Sequence, residues 1–572
     1  MTKRKVAEIV VDVLEAAGVG RCYGMVGDTL NHFTDALRRS SIAFVHMRHE
    51  EAGAFAAGAE AQITGRLTAC AGSCGPGSLH FINGIFESHR NRAPVVLIAS
   101  QVASGELGID YPQEVDFKPL YAQCSVFCEQ VAAPEQARRM ATLAAQAALT
   151  KRGVAVLILP GDVSATEVED RTAWSVHTPT PVVRPSDAEL DRVAEVLAAG
   201  RRVAIYAGAG CEAAHDAVVS LCSVLKAPMA HTSRAKDFLE PDNPYNVGMT
   251  GIFGGRAGFH AVGACDTLLL LGCDFAWRQF YPENARIVQI DIDATHLGRR
   301  HPIALGVVGD IGPSLEALLP RLSEKQDATF LETCLGQRRE DEADLARQAT
   351  PGRDDLIHPQ HLAALFDRHA DDDAVFTADG GSPMVWLLRH VAANGRRRTL
   401  VSLLHGTMAG AMPQALGVKK ASPTRQVIAF SGDGGLAMML GDLLTAVQEE
   451  IPIKVVVFNN GSLGFVELEM KVEGMMNAYT DLKNPDFARL AEVIGFAGWR
   501  VETNADLEEA VKAFLAHPGP ALIDVKVNRN ELVVPPKIEA SMVSGTILYG
   551  AKALLSGHGG DVIDLLESNL RR

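Results

Sequence analysis

The sequence lacks two features that would point to a membrane or a nucleic acid. It has no uninterrupted apolar run approaching the ~20 residues of a transmembrane helix, so we expect no membrane-spanning segment. It also has no block of basic residues. Lys and Arg number 54 against 69 Asp and Glu, which gives a formal net charge of −15. Such a chain is poorly suited to neutralising many phosphates, and nucleic acid is not expected as a partner.

The ten cysteines lack the C-x-x-C spacing typical of zinc and redox sites. Even the nearest ones are four residues apart, as in Cys70 and Cys74. We therefore expect reduced thiols, many of them buried. The N-terminal stretch lacks the apolar core of a signal peptide, because Asp12 and Glu15 interrupt it. We expect a cytoplasmic protein.

The length of 572 residues is too great for one hydrophobic core and suggests three or four domains. Helical and strand-like patterns alternate, which predicts α/β domains built on doubly wound parallel sheets. The pattern restarts near residue 183, and a charged stretch at 323–352 reads as a linker helix. We predict four units: three α/β domains at 1–182, 183–334 and 335–530, and a C-terminal segment at 531–572.

Individual elements follow from the same patterns. In the first unit they predict helices at 5–17, 29–38, 50–64 and 78–88, and strands at 21–25, 42–47, 67–71 and 94–99. In the second unit they predict strands at 203–207, 267–271 and 286–291, and a helix at 212–225.

The most informative stretch runs from Gln426 to Phe465. Two short apolar runs, 426–430 and 453–458, flank a segment of helical periodicity, which predicts a parallel βαβ crossover. Both strands would then end at the same edge of the sheet, where Asp433 and Asn460 follow them. Two hard oxygen ligands would lie side by side at that edge.

Glycines flank Asp433 on both sides, which would let the backbone approach a phosphate at a helix N-terminus. Mg²⁺ prefers few protein ligands plus phosphate oxygens. Asp433, the amide oxygen of Asn460 and a carbonyl near Ser462 would complete an octahedral site on a diphosphate. Gly-Asp-Gly alone is better explained as an ordinary strand-to-helix turn. The pair of asparagines at the end of the next strand favours the diphosphate site.

A GDG turn followed, one helix and one strand later, by NN resembles the signature of thiamin diphosphate enzymes. Three further stretches resemble the same family: RHEEAGAFAAGAEA from Arg48, CAGSCGPG from Cys70, and HGTMAGAMPQA from His405. Over its whole length the chain resembles the pyruvate oxidase and acetolactate synthase group. RHEE, AGSCGPG, NPYNVGMTG, VFNN and LGF point within that group to the quinone-linked pyruvate oxidases. The resemblance implies pyrimidine-binding, central FAD-binding and diphosphate-binding domains in that order.

The resemblance also implies roles for single residues. Glu50 matches the glutamate that contacts ring nitrogen N1′ and shares a proton with it, although a glutamate at a helix start can also serve only the helix dipole. Met408 matches the hydrophobic wedge that bends the cofactor, although methionine is a common core residue. Phe465 would pack between the thiazolium and the flavin, or it is a core aromatic. Glu50 and Phe465 are the predicted catalytic residues.

The resemblance gives the following set at thiamin diphosphate. It comprises Glu50, Gly380, Gly381, Ser382, Gly406, Thr407, Met408, Asp433, Gly434, Gly435, Asn460, Gly461, Ser462, Leu463, Gly464 and Phe465, with Mg²⁺ held by Asp433, Asn460 and Ser462.

The central unit carries Gly208-Ala209-Gly210 after a strand, part of a G-x-G-x-x-G/A pattern. The acidic residue expected about twenty positions later is lacking, so a nicotinamide dinucleotide site has weak support. The resemblance implies FAD instead, although in many decarboxylases of the superfamily this domain is only structural. The predicted FAD residues are Gly251, Ile252, Phe253, Gly254, Asp274, Phe275, Ala276, Trp277, Arg278 and Ile292.

The activity implied by the resemblance is oxidative decarboxylation of pyruvate to acetate and CO₂, with electrons passing through FAD to a membrane quinone. The alternative is an acetolactate synthase-type carboligase, or another 2-oxo acid decarboxylase, with structural FAD. A non-enzymatic paralogue would require spoiled Glu50 and metal positions, and these are intact. Pro112 and Gly380 depart from the quinone-linked pattern, so they bear on substrate choice.

The resemblance further implies a homotetramer in which Glu50 of one chain faces Asp433 of another. After Pro535-Pro536 the sequence leaves about forty residues without a place in the three-domain plan. From Asp561 apolar residues recur on one helical face, which predicts an amphipathic helix. The resemblance implies that this tail attaches reversibly to the inner face of the cell membrane; a docked terminal helix is the alternative.

Overall fold

The computed structural model of the chain describes residues 3–170, 174–351, 356–531, 533 and 540–555. Three six-stranded sheets organise these residues, and every neighbouring pair of strands within each sheet is parallel. Helices cover the sheets, so central strands such as Val95–Gln101 and Val154–Pro160 are buried along their whole length. The predicted α/β class is confirmed.

The described residues of the first unit form eight strands and eight α-helices. The strands are β1 (Lys3–Lys5), β2 (Arg21–Gly24), β3 (Ala43–His46), β4 (Thr68–Gly72), β5 (Val95–Gln101), β6 (Phe127–Gln130), β7 (Val154–Pro160) and β8 (Glu167–Glu169); the helices are α1 (Val6–Ala16), α2 (Asn31–Arg38), α3 (Glu50–Thr64), α4 (Pro76–Leu79), α5 (Ile82–Arg90), α6 (Phe117–Tyr121), α7 (Ala137–Lys151) and α8 (Gly161–Ala165). The sheet order is β3-β2-β4-β5-β7-β6, and β1 pairs antiparallel with β8.

The central unit has a different strand order. Its strands are β9 (Val203–Ala207), β10 (Met229–His231), β11 (Asn246–Met249), β12 (Thr267–Leu271), β13 (Arg286–Asp291) and β14 (Leu305–Val308), and its helices are α9 (Asp187–Ala199), α10 (His215–Leu225), α11 (Lys236–Leu239), α12 (Arg256–Ala264) and α13 (Ile311–Leu318). The order β11-β10-β9-β12-β13-β14 is that of dinucleotide-binding sheets. Helix α14 (Thr329–Gln348) follows, as the charged stretch predicts.

The third unit repeats the topology of the first. Its strands are β15 (Val375–Ala378), β16 (Arg398–Val401), β17 (Val427–Gly432), β18 (Lys454–Asn459), β19 (Ala497–Val501) and β20 (Ala521–Lys526), and its helices are α15 (Pro359–His369), α16 (Ser382–His390), α17 (Ala411–Ala421), α18 (Asp433–Met438), α19 (Leu443–Gln448), α20 (Gly464–Val472), α21 (Phe487–Ile494) and α22 (Asn504–Ala516). The sheet order is β16-β15-β17-β18-β20-β19. Counted from the first strand of each sheet, the first and third units share one order, 2-1-3-4-6-5.

The first and third units share a continuous hydrophobic core. Helix α3 packs against α17, and buried side chains of both units form one cluster. The contact is close: a Cβ on Gly417 would lie 1.9 Å from the carbonyl oxygen of Ala56. Polar contacts reinforce it, because the backbone N–H of Arg48 donates to Asp442 (2.9 Å) and the hydroxyl of Ser402 donates to Glu87 (2.6 Å).

Most predicted elements are confirmed, and three details differ. Strands β17 and β18 pair in parallel as predicted, but the connection is two short helices, α18 and α19, which a turn around Gly441 separates. The helix predicted at 78–88 is divided into α4 and α5, and α4 starts early because Pro76 suits the first helical position. A further helix, α23 (Ala540–Leu555), is absent from the sequence prediction and packs on α20.

The predicted amphipathic helix from Asp561 lies outside the described residues, as do the glycines before it. None of the described helices is both long and apolar enough to cross a membrane. The ten cysteines carry free thiols, and nine are buried.

Candidate functional site

A cavity of about 270 Å³ opens at the carboxyl edge of the third sheet. Its walls come from the turns after β15, β17 and β18 and from the segment before α17. Thirteen residues predicted at thiamin diphosphate line it: Gly380, Gly381, Ser382, Gly406, Met408, Asp433, Gly434, Gly435, Asn460, Ser462, Leu463, Gly464 and Phe465. Thr407 and Gly461 belong to the same turns. The carbonyl of Thr407 accepts from the N–H of Gly380 (3.0 Å), and the N–H of Gly461 donates to Asp433 (2.8 Å).

Asp433 projects a buried carboxylate at this edge. It accepts hydrogen bonds from the N–H groups of Gly434 (3.0 Å) and Gly461 (2.8 Å) and from the amide of Asn484 (2.7 Å). Burial raises the pKa of Asp433, although these hydrogen bonds and nearby Lys526 oppose the rise. A carboxylate in this position gains from a divalent cation, so the residue fits a metal site.

The glycines beside Asp433 are required by close packing. A Cβ on Gly435 would lie 2.2 Å from Asp379 Oδ2, and one on Gly434 would lie 2.9 Å from a methyl group of Leu463 and 3.3 Å from the terminal methyl of Met408. Any side chain at Gly434 would therefore fill the space between Met408 and the turn that bears Leu463. The residues present fit a diphosphate approached by backbone.

The turn after β18 bears the second predicted ligand. The amide oxygen of Asn460 accepts from the N–H of Ser462 (3.0 Å), and Gly461 adopts the left-handed φ of +68° that glycine tolerates best. The hydroxyl of Ser462 donates to Glu467 (2.5 Å), a residue that no sequence motif marks. Asn484 was also missed, because it lies in a polar loop with no motif to mark it.

Asp379 lies behind the glycine turn at the end of β15. Its oxygens accept from the N–H groups of Ala411 (2.8 Å) and Gly432 (3.2 Å), so one carboxyl group joins two turns of the cavity. Burial raises the pKa of Asp379 to about 7. Asp379 directly precedes the predicted residues Gly380, Gly381 and Ser382, but its position relative to Gly432 follows only from the pairing of β15 with β17.

The structure gives a reason for the glycine at position 380, where a larger aliphatic residue is expected. A Cβ there would lie 2.5 Å from the carbonyl oxygen of Thr407 and 3.2 Å from that of Gly406. The backbone of the 406–407 turn therefore occupies the space of the larger side chain. Pro112, the second departure, is exposed in the chain.

Glu50 lies at the first position of α3 and does not line this cavity. It is 7% exposed, and its Oε2 lies 3.0 Å from Nδ1 of His80. His49 caps the helix by accepting from the N–H of Glu51, and its ring stacks on His80 at 4.9 Å. Glu51 instead accepts from Asn83 (2.6 Å), whose side chain also contacts Thr407 and His405 of the third unit.

An aromatic cluster joins the cavity to the central unit. The ring centroids of Phe465 and Phe253 are 6.5 Å apart. Those of Phe253 and Trp277 are 6.1 Å apart, and those of Trp277 and Phe275 are 5.7 Å apart. Four residues predicted at two different cofactors are therefore in one contiguous cluster. Gly251 belongs to it, because a Cβ there would contact the ring of Phe275 at 3.2 Å.

The other predicted FAD residues are less uniform. Asp274 pairs with Arg299 and Arg300, and these arginines lower the pKa of Asp274 although burial opposes them. Gly254 is buried, Ile252 is half-buried, and Ala276, Arg278 and Ile292 are exposed.

Two buried threonine hydroxyls lie at the carboxyl ends of strands in the central sheet. Thr232 follows β10 and Thr250 follows β11, and the buried side-chain oxygens of both lack a partner among the described residues. Buried polar atoms are normally hydrogen-bonded. Together with the strand order, these hydroxyls fit a dinucleotide at the carboxyl edge of the central sheet.

Comparison with known protein families agrees with this geometry. Three profiles of thiamine pyrophosphate enzymes match in order: the N-terminal TPP binding domain at residues 4–120, the central domain at 190–318 and the C-terminal TPP binding domain at 379–525.

Curated relatives cover nearly the whole chain. The putative thiamine pyrophosphate-containing protein YdaP of Bacillus subtilis is 33% identical, with 96% of each chain covered. Pyruvate oxidase of Lactiplantibacillus plantarum is 30% identical over 91% of this chain and 88% of its own. The large subunit of acetolactate synthase isozyme 2 of Escherichia coli is 29% identical over 92% of this chain and 96% of its own. With these matches and the site that its third sheet builds, the chain belongs to the thiamine pyrophosphate-dependent enzyme family.

Proposed function

We propose that the protein oxidatively decarboxylates pyruvate to acetate and CO₂, using thiamin diphosphate, Mg²⁺ and FAD, and delivers the electrons to a membrane quinone. Thiamin diphosphate, when bound, supplies the electron sink that decarboxylation of a 2-oxo acid requires. The relatives include a pyruvate oxidase, which supports a substrate of this class.

Different residues around the third-sheet cavity would hold different parts of the cofactor. Asp433, Asn460 and the turn at Ser462 would hold Mg²⁺, and the N–H groups of Gly434 and Gly435 would face the diphosphate. Met408 would support the bend of the cofactor. Glu50 would hold a proton at the pyrimidine nitrogen N1′, which is general acid–base work.

The single observation that carries the oxidase proposal is the contact between Phe465 and Phe253. This contact joins the wall of the cavity to the predicted flavin residues, and the two ring centroids are 6.5 Å apart. Phe253 is itself held in place, because its carbonyl accepts from the guanidinium of Arg389 (3.1 Å). An oxidase needs its flavin close to the site of decarboxylation, and this cluster supports such proximity.

The test is the visible spectrum of the purified holoenzyme under anaerobic conditions. Pyruvate with Mg²⁺ and thiamin diphosphate should bleach the flavin absorbance, because an oxidase must pass electrons to FAD. The Asp433→Ala variant, reconstituted with FAD, is the matched control and should stay oxidised. An oxidised spectrum of the wild-type protein after pyruvate addition would refute the oxidase assignment.

The second candidate is an acetolactate synthase-type carboligase with structural FAD. Its support is the 29% identity to an acetolactate synthase large subunit over 92% of this chain. In this case pyruvate would be consumed without flavin bleaching, and acetolactate would accumulate. The same anaerobic sample therefore separates the two functions.

We further propose a homotetramer in which each site lies between two subunits. Among the described residues, those that line the cavity fall between 359 and 531, so Glu50 of the same chain lies outside its wall. A second subunit that brings its own Glu50 to the open side of the cavity would complete the site.

We also propose that the tail beyond the described residues attaches the protein to the inner face of the cell membrane, where quinone is found.

A further inference from the structure

Glu467 lies one turn into α20, behind the wall of the cavity. It is 3% exposed, and the cavity lining does not include it. The side chain is therefore separated from the cavity and almost completely shielded from bulk water. Its carboxylate nevertheless reaches the turn that bears Asn460 and Ser462.

Both oxygens of this carboxylate are fully used. Oε1 accepts from Asn477 (2.7 Å) and from Lys471 (2.8 Å), and Oε2 accepts from the hydroxyl of Ser462 (2.5 Å) and from Arg529 (3.0 Å). These partners lie on the cavity turn, on α20, in the loop after α20 and after β20. A single buried group therefore joins four separate parts of the third unit.

We propose that Glu467 is a positioning residue for the metal-binding turn, acting through the hydroxyl of Ser462. This inference rests on the proposed thiamin diphosphate and Mg²⁺ site. The turn contains Gly461 at φ +68°, a residue with many accessible conformations. The bond from Ser462 to Glu467 removes that freedom on the side of the turn that faces away from the cavity. It also commits the hydroxyl proton of Ser462 to Glu467 (2.5 Å), which ties the backbone of this predicted ligand to α20.

The charge of Glu467 is needed to hold this arrangement. Lys471 is 5% exposed and Arg529 lies alongside, so the carboxylate sits between two cations. A neutral side chain of the same size would keep the volume but leave Lys471 buried without its counter-charge. Glutamine also offers one acceptor oxygen in place of two, so the pair of donors on one side, Ser462 with Arg529 or Asn477 with Lys471, would face an NH₂ group. Partners one shell behind a metal ligand typically contribute 10–100-fold to metal affinity.

The experiment is a Mg²⁺ titration of thiamin diphosphate binding to the full-length FAD-loaded protein, followed by tryptophan fluorescence. Trp386 lines the cavity, so cofactor binding should quench it. Glu467→Gln should weaken the apparent Mg²⁺ affinity by about tenfold or more. Glu473→Gln is the matched control, because Glu473 is exposed at the end of the same helix, and its affinity should equal that of the wild type.

Ser462→Ala separates positioning from general stability. This variant keeps Glu467 and both cations and removes only the bond to the turn, so it gives a result even where Glu467→Gln folds poorly. It should weaken Mg²⁺ affinity to a similar degree. The double variant Glu467→Gln/Ser462→Ala should bind Mg²⁺ no more weakly than the single variant with the lower Mg²⁺ affinity, because both changes remove the same hydrogen bond.

The outcomes are distinct. Wild-type Mg²⁺ affinity in Ser462→Ala, or additive losses in the double variant, would overturn the inference. Asp433→Ala serves as the reference for the site itself and should lose Mg²⁺-dependent binding. If Asp433→Ala binds normally, the proposed metal site fails and the inference fails with it. If only Asp433→Ala is impaired, the proposed function survives and the role of Glu467 is refuted.

Discussion

At the scale of single residues, Glu50 is the strongest candidate for proton transfer. Its side chain is buried at the start of α3, with Oε2 3.0 Å from Nδ1 of His80. Glu50→Gln preserves shape but removes the ability to hold a proton. We expect turnover with pyruvate to fall by roughly a hundred- to ten-thousandfold, the range for lost acid–base catalysis, with unchanged flavin content and melting temperature.

Glu51 provides the control for this substitution, because it is the next residue on the same helix and contacts Asn83 instead. Glu51→Gln can keep that hydrogen bond through its amide oxygen and should retain most activity. Turnover of Glu50→Gln close to that of the wild type would remove Glu50 from the catalytic assignment.

Asp379 yields a pH-dependent prediction for the protein without cofactors. Burial raises its pKa to about 7 in the folded state, well above the ordinary value for aspartate. A raised carboxyl pKa means that the folded state binds the proton more tightly than the unfolded state. The contribution of protonated Asp379 to the free energy of unfolding is therefore complete below about pH 4. It is lost as the pH rises to about 7.

The loss should be as steep as about 1.4 kcal/mol per pH unit within that window. Melting temperatures of the wild type and Asp379→Asn, measured in parallel across it, isolate this group from the other titrating residues. The wild type should lose stability relative to the variant as the pH rises. A difference that stays constant with pH would show that Asp379 is ionised in the folded protein.

At the scale of elements, the packing of α3 on α17 is the most demanding contact between units. A Cβ on Gly417 would lie 1.9 Å from a backbone oxygen of Ala56, and neither backbone can move without separating the helices. Gly417→Ala should destabilise the protein by at least about 1–3 kcal/mol, the usual cost of overpacking, and lower its melting temperature.

Gly263 is the matched control for this substitution. It also lies within a helix, α12, but a Cβ there would meet no atom within 4 Å. Gly263→Ala should be neutral or stabilise by about 0.4–1 kcal/mol, because alanine reduces the freedom of the unfolded chain. If both variants melt like the wild type, the close contact at Gly417 does not contribute to the fold.

The elements also show how far the sequence alone can be taken. Strands β9, β12 and β13 have the predicted bounds, because short and largely apolar runs between turn residues leave little alternative. The placement of Asp433 and Asn460 at one edge of the sheet was also predictable, since the parallel pairing of β17 and β18 brings the strand ends together. Glu467 and Asn484 were not predictable. Their roles depend on side chains that meet only after α20 and the loop following it are folded.

Helix α23 illustrates the same limit. Its sequence follows a double proline and shows no strong motif, and its docking depends on partners distant in sequence. The ring of Tyr549 is buried, with Nζ of Lys471 5.5 Å from its centre, and Lys552 donates to the carbonyl of Gly474 (2.8 Å). Lys471 in turn pairs with Glu467. Helix α23 thus contacts the side of α20 that faces away from the cavity.

At the scale of the whole molecule, the proposed membrane attachment predicts the effect of a truncation. Deleting residues 558–572 leaves α23 in place and removes the amphipathic stretch. A single short helix gives only marginal, reversible affinity for lipid. The truncated enzyme should therefore lose pyruvate-stimulated binding to liposomes and quinone-dependent turnover, and still reduce a small soluble acceptor. Liposome binding equal to that of the full-length protein would refute the membrane role.

The proposed placement of each site between two subunits predicts that two inactive variants restore each other. A mixed assembly of Glu50→Gln and Asp433→Ala subunits would contain one kind of site that carries both changes. It would also contain a second kind with Glu50 and Asp433 both intact, contributed by different chains. Co-expression of the two variants with separate tags, followed by purification on both tags, should recover a substantial part of wild-type turnover. Each variant expressed alone should remain nearly inactive. If the doubly tagged assembly is also inactive, Glu50 and Asp433 act within one chain, and the α3 N-terminus must reach the cavity by movement of the first unit against the third.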